Sequence, residues 1–191
     1  ALGTMALGTA LTGVIFAGYR SVDFARTLNT PKPAVLMTYP PQDMFPMDCL
    51  YCADQESSTV LCQKLIDWGH RRFAYCGDGL RPSAKHRLDG VCLQLERNGL
   101  QLAQRLTENE MANVDAVAAE WQRQREAGEM PTAFLCESDT TAFLLQRVMS
   151  LMQLSFPRDV SVVSFNNDPR DDNPAAFTGM GLDKVGFGKE A

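Results

Sequence analysis

Two short apolar runs separated by one amphipathic segment constrain this chain more than any other feature. Residues 131 to 167 read PTAFLCESDTTAFLLQRVMSLMQLSFPRDVSVVSFNN. The first run ends in Glu137-Ser138-Asp139, a Pro157-Arg158-Asp159 turn follows the helical segment, and the second run ends in Phe165-Asn166-Asn167. Two buried strands joined by a helix must lie parallel, because a parallel pair needs a long crossover and a hairpin does not. The polar tips then emerge at the carboxyl ends of neighbouring strands, the edge where open α/β sheets bind ligands.

The rest of the chain extends this pattern. Thr12–Ala17, Ala34–Thr38, Cys49–Cys52, Phe73–Cys76 and Ala133–Cys136 read as strands. From Ser57 the period changes: Leu61, Cys62, Leu65, Ile66 and Trp68 share one helical face, with Gly69 placed as a helix-ending glycine. Ser83 is placed as the cap of a helix whose inner face is Leu88, Val91, Cys92 and Leu95. Val114, Val117, Ala118 and Trp121 mark the next helix, and 140–154 the one after. From Cys49 to Asn167 the alternation predicts an α/β domain with a mostly parallel sheet. The first 52 residues supply strands that cannot close a sheet of their own, and they read as part of a second domain.

Composition excludes several functions. A net charge of −5, with His70-Arg71-Arg72 as the densest basic run, gives no footprint for nucleic-acid phosphates. No apolar stretch reaches the roughly 20 residues that span a bilayer. Of the six cysteines, five lie in apolar runs and read as structural thiols, which suits the reducing cytosol. Cys49-Leu-Tyr-Cys52 has the spacing of a redox or zinc half-site, but no second such pair accompanies it and the only histidines are His70 and His86. Phosphate loops, dinucleotide fingerprints and metalloprotease motifs do not occur, so neither catalysis nor a cofactor is expected.

Five runs in order carry a resemblance. Ala53-Asp54-Gln55, Leu65–Arg72 (LIDWGHRR), Ser83–Gly90 (SAKHRLDG), Pro131–Asp139 and Asp159–Asn167 resemble the lac repressor family of bacterial transcription regulators in its effector-binding core. That core shares the periplasmic sugar-binding-protein fold: mostly parallel sheets with helices on both faces. The resemblance implies one near-complete carboxyl-terminal subdomain over 53–183. Residues 1–52, joined by about 184–191, would be part of an amino-terminal subdomain. It also implies a small-molecule effector, a sugar or sugar derivative, in the cleft between subdomains. Operator DNA would be bound only through an amino-terminal head outside this chain. A homodimer with Phe143 at its interface and a cytoplasmic location are implied as well. A periplasmic sugar carrier of the same fold is the alternative.

The site residues are expected as follows. Arg87, one turn into a helix that follows a strand and a Gly-rich loop, offers a planar fork for adjacent hydroxyls or an anion; the family's arginine at this position contacts effector. Arg81 and Ser83 precede the same helix, and the family uses both positions in some members. Asp139 reads as a helix cap, and Ser138 stands where the family commonly has asparagine. Asn166 and Asn167 replace a common Asp-Asp, Thr38 replaces a common aspartate, and Lys184 falls near the third crossover. Carboxylates lost at 38 and 166, beside Arg87 and Lys184, suggest an anionic ligand such as a sugar phosphate or sugar acid.

Overall fold

The computed structural model describes residues 12–18, 22–27, 32–40, 47–166, 177–181 and 183–190. The chain forms two compact units: Ala1–Cys52 with Asp183–Ala191, and Ala53–Leu182.

The first unit holds β1 (Val14–Ala17), α1 (Val22–Thr27), β2 (Ala34–Met37) and β3 (Asp48–Cys49), with the strands parallel in the order β1-β2-β3. Among its described residues Phe16, Ala25 and Leu36 form a buried cluster. The strand expected over Cys49–Cys52 is instead the two-residue β3. The backbone leaves the sheet after Leu50, whose N–H still reaches the Leu36 carbonyl at 2.9 Å.

The second unit runs α2 (Asp54–Asp67), β4 (Phe73–Cys76), α3 (Pro82–Arg97), β5 (Leu102–Leu106), α4 (Glu108–Ala112), α5 (Val114–Glu126), β6 (Ala133–Cys136), α6 (Asp139–Leu151), β7 (Ser161–Asn166) and β8 (Thr178–Gly181). Helix α7 (Lys184–Glu190) then returns to the first unit. The five strands are parallel in the order β5-β4-β6-β7-β8, and β6 pairs β7 with Ala133 opposite Ser161. The two runs that suggested a parallel pair are therefore adjacent strands.

Both faces of this sheet are covered, which is why β4 and β6 are apolar at every position and β7 is mostly so, with Ser164 buried among its apolar residues. Alternation sends Phe73, Tyr75, Ala133, Leu135, Val163 and Phe165 to one face, against Leu61, Leu65, Val91 and Leu95 of α2 and α3. Ala74, Cys76, Phe134, Cys136 and Val162 face the other way, onto Trp121 of α5 and Leu145, Val148 and Met149 of α6. Strands β5 and β8 were not legible because neither is a continuous apolar run. At the sheet edge, β5 is Leu-Ala-Gln-Arg-Leu, and β8 is Thr-Gly-Met-Gly.

Helix endings follow local chemistry. Gly69, at φ +94°, donates to the Ile66 carbonyl, and His70 N–H to that of Leu65, closing α2 where the sequence placed its stop. Cys92, assigned from sequence to the inner face of α3, is exposed, while Val91 and Leu95 turn inward. Cys62, Cys76 and Cys136 are buried, and Cys49 and Cys52 half-buried. Among the described residues no helix is long and apolar enough to cross a membrane.

Helices α2 and α3 pack closely at Gly90. A Cβ there would lie 2.3 Å from the Gln55 carbonyl oxygen and 2.9 Å from Ser58 Cβ. Gly→Ala within a helix ordinarily stabilises by about 1 kcal/mol, but here the added methyl must push two helices apart. We expect Gly90→Ala to destabilise the protein by about 1–3 kcal/mol, the usual cost of overpacking. Its urea midpoint should fall at unchanged slope; a raised midpoint would show that this helix contact is slack.

Candidate functional site

The sheet order turns at β4: the chain moves outward to β5 and then crosses back to β6 on the other side. Such a switch point opens a crevice at the carboxyl ends of the two strands. Here those ends are Gly77, after β4, and Glu137, after β6. Gly77 has φ +151°, and a Cβ on it would lie 2.4 Å from Glu137 Cβ, so only glycine fits beside this side chain.

Glu137 is the hub. It is 3% exposed, and a buried carboxylate requires partners. Its Oε2 accepts from the Gly79 N–H at 2.8 Å, and its Oε1 from Arg81 Nη2 at 3.4 Å. Its backbone carbonyl accepts from Arg87 Nη1 at 2.8 Å. Arg87 Nε donates to Asp54 Oδ1 at 2.7 Å, forming an ion pair whose side chains are 14% and 8% exposed. The guanidinium carbon also stands 5.5 Å from the Phe165 ring centre, within cation–π range. Asp54 sits in the first turn of α2, where the helix dipole favours negative charge. Tyr75, fully buried below, donates to the Ala84 carbonyl, and burial pushes its phenol pKa well up, so it stays neutral.

Ser138, and not Asp139, takes the capping role. The cap of α6 is Ser138, whose Oγ accepts from Thr141 N–H, while Thr141 Oγ1 accepts from Ser138 N–H. Asp139 opens the helix, and its carboxylate accepts from the Ser164 hydroxyl of β7 at 2.5 Å. Ser83 is not a cap either. Arg81 holds that position with Pro82 first in the helix, which suits a residue without an N–H. The half-buried Ser83 hydroxyl has no partner among the described residues.

Asn166 ends β7 exposed, at φ +105°, a conformation that asparagine tolerates better than most side chains and that costs about 1–3 kcal/mol when held by its surroundings. Arg81, Ser83, Arg87, Ser138, Asp139 and Asn166 thus all belong to the carboxyl edge of one sheet. Thr38 follows β2 and Lys184 begins α7, both in the other unit. Asn167 lies outside the described residues.

Two contributors were missed from sequence, Asp54 and Glu137. Their signals were present. Glu137 directly follows the apolar Phe134-Leu135-Cys136, so its carboxylate had to be buried and partnered, and Asp54 opens a helix that packs on the helix of Arg87. Formally, the edge carries Asp54, Glu137 and Asp139 against Arg81 and Arg87, a balance of −1 (two positive, three negative). The remaining guanidinium N–H groups of Arg87 and the Asn166 amide have no partner among the described residues. Together with Ser83 they form a donor-rich wall without net positive charge, suited to a polyhydroxylated ligand. Among the described residues no group of three or more metal-ligating side chains comes together.

The polar groups thus gather at the switch point of a doubly wound parallel sheet, the place where open α/β sheets hold ligands. The chain belongs to the periplasmic binding protein-like domain family, whose match covers residues 62–191. The resemblance to lac repressor-type effector-binding cores is borne out by the relatives. The arabinose metabolism transcriptional repressor of Geobacillus stearothermophilus is 32% identical over 126 residues, 62% of this chain and 34% of that protein. Catabolite control protein A of Staphylococcus aureus (strain Mu50 / ATCC 700699) is 28% identical over 117 residues, 59% of this chain and 34% of that protein. The chain therefore matches about a third of the length of these curated relatives. The fold is shared with the lac repressor dimer bound to operator and the anti-inducer ONPF (TM-score 0.71, 20% identity, 94% of this chain and 64% of that one). It is shared equally with an uncharacterized protein from Actinobacillus succinogenes (TM-score 0.71, 22% identity, 95% and 67%).

The reassignment of Ser138 separates capping from ligand contact. Ser138→Ala should cost about 1 kcal/mol of stability without any ligand, and Ser138→Asn close to nothing, because asparagine caps as well as serine. Chemical denaturation of both variants checks this; equal losses would mean that the cap is not what Ser138 supplies.

Proposed function

We propose that this chain is the effector-sensing part of a cytoplasmic bacterial transcription regulator, with the effector held at the carboxyl edge of the β4–β7 sheet. The observation that carries the reading is the charge-compensated Arg87, fixed by Asp54 and the Glu137 carbonyl while its remaining N–H groups stay open beside Ser83 and Asn166. An effector that binds one state of the whole regulator more tightly than another shifts its operator affinity by the ratio of those affinities. Two curated relatives named as a repressor and a control protein favour a regulator over a periplasmic carrier. Operator contact through a separate DNA-binding part, and a homodimer, belong to the same proposal. For Phe143 the fold supplies an internal partner, since its ring meets Phe177 edge-on with centres 5.1 Å apart. An interface role therefore has to use its half-exposed remainder.

The effector class follows from the charge balance. Arg87 is already neutralised by Asp54, so the anionic ligand suggested by the lost carboxylates at 38 and 166 loses its main support. A neutral sugar fits the open donors better. In a thermal-shift panel of pentoses, hexoses, sugar phosphates and sugar acids, a neutral sugar at about 100 times its Kd should add about 2.7 kcal/mol of stability. That corresponds to roughly 5–10 °C for a chain of this size. Arg87→Lys, which loses the fork, should abolish the shift. If no sugar raises the melting temperature, or the shift survives Arg87→Lys, the site lies elsewhere.

A further inference from the structure

The opposite edge of the same sheet carries a concave surface. It is a pocket of about 420 Å³, within the usual range for small-molecule sites. Every residue lining it comes from the amino side of the strands. Arg72 precedes β4, Pro131 and Thr132 precede β6, and Val160 precedes β7. Arg125 and Gly128 come from the end of α5, and Arg158 and Asp159 from the turn before β7.

We propose that this pocket binds a small organic anion, with a phosphate or carboxylate head and an apolar body. Three guanidinium groups and one carboxylate line it, a formal charge of +2 (three minus one) in a chain of net −5. The single carboxylate is already committed. Asp159 accepts from Arg158 and from the Ser155 N–H, and these bonds hold its pKa down at about 2. Arg72 and Arg125 are exposed and their guanidinium groups have no partner among the described residues. Like charges gathered around one concavity repel, and a bound anion relieves that repulsion while using the planar forks. The floor supplies the rest: Met130 and Val160 are buried, Leu154 is half-buried, and all three offer apolar surface to a ring or short chain.

The pocket wall is tied together by backbone hydrogen bonds. The Arg72 carbonyl accepts from the N–H groups of Thr132 (3.1 Å) and Ala133 (3.3 Å), which locks β4 to β6 at this edge. Thr132 Oγ1 lies 2.9 Å from His70 Nδ1, and Ser161 Oγ lies 2.9 Å from His70 Nε2. The imidazole is thus one hydrogen bond from the pocket. With His86 the only other histidine, and located on α3, it serves as a built-in reporter.

The test is a nuclear magnetic resonance titration of the 191-residue chain with phenyl phosphate, benzoate and inorganic phosphate at constant ionic strength. The expected result is a saturable shift of the His70 ring and the Gly128 and Thr132 amides, with His86 stationary. An aromatic anion should bind more tightly than inorganic phosphate, because only it fills the apolar floor. Arg72→Gln and Arg125→Gln should each weaken binding about tenfold or more, the usual scale for a charged hydrogen bond. Arg72→Lys should lose less. Arg123→Gln, on the same helix but outside the pocket, should change nothing. Arg72→Lys also guards against misfolding, since it keeps the charge while losing the fork. Shifts that grow without saturating, that survive both glutamine variants, or that fall on Ser138 and Asn166 instead would overturn the proposal.

Discussion

The ion pair between Arg87 and Asp54 is the constraint on which the carboxyl edge depends. It joins the first turn of α2 to the second turn of α3, and through the Glu137 carbonyl it ties both helices to the end of β6. Both side chains are almost out of water, so each ion has lost hydration that only its partners replace. Such a pair need not stabilise the fold more than two well-packed apolar residues would. Its effect is on geometry: breaking one half leaves the other charge buried and uncompensated. Glu137 repeats this logic with one neutral donor, the Gly79 N–H, and one longer ion pair, to Arg81 at 3.4 Å. The loop from Gly77 to Arg81 is therefore held down by a side chain from a different strand, and it can hold that course only because Gly77 has no Cβ.

Much of this architecture was legible in the sequence, for a simple reason. Strands covered on both faces are mostly apolar, and Phe73–Cys76 and Ala133–Cys136, apolar throughout, announce themselves. The edge strands do not. Gln104 and Arg105 in β5 and the glycines of β8 carry no such run, because each strand is paired on one side only among the described residues and is less enclosed. The helix stop at Gly69 was readable because a left-handed φ selects glycine. The start of α3 was misread, because Ser83 looked like a cap when Pro82 had already claimed the first turn.

The site was partly legible in the same way. Arg87 stood out through its place after a strand and a Gly-rich loop, but its partner did not. A pair separated by 33 residues depends on how α2 and α3 pack, and that packing turns on Gly90, whose hydrogen side chain lets the helices touch. Sequence therefore singled out the arginine as a candidate without showing that its charge is already met by Asp54. This changes the chemistry expected of an effector: the edge offers directed donors rather than net positive charge. The uncompensated positive charge lies at the opposite edge, around Arg72 and Arg125.

The central claim is that Asp54 and Arg87 act as one buried unit. A double-mutant cycle with Asp54→Asn and Arg87→Met, followed by urea denaturation, measures it most directly. Each single change should cost about 3–5 kcal/mol, since it strands a buried partner. The double variant should cost clearly less than the sum, with a coupling of at least about 1.5 kcal/mol. Additive losses, with coupling under about 0.5 kcal/mol, would contradict the account, because residues that do not share an interaction simply add.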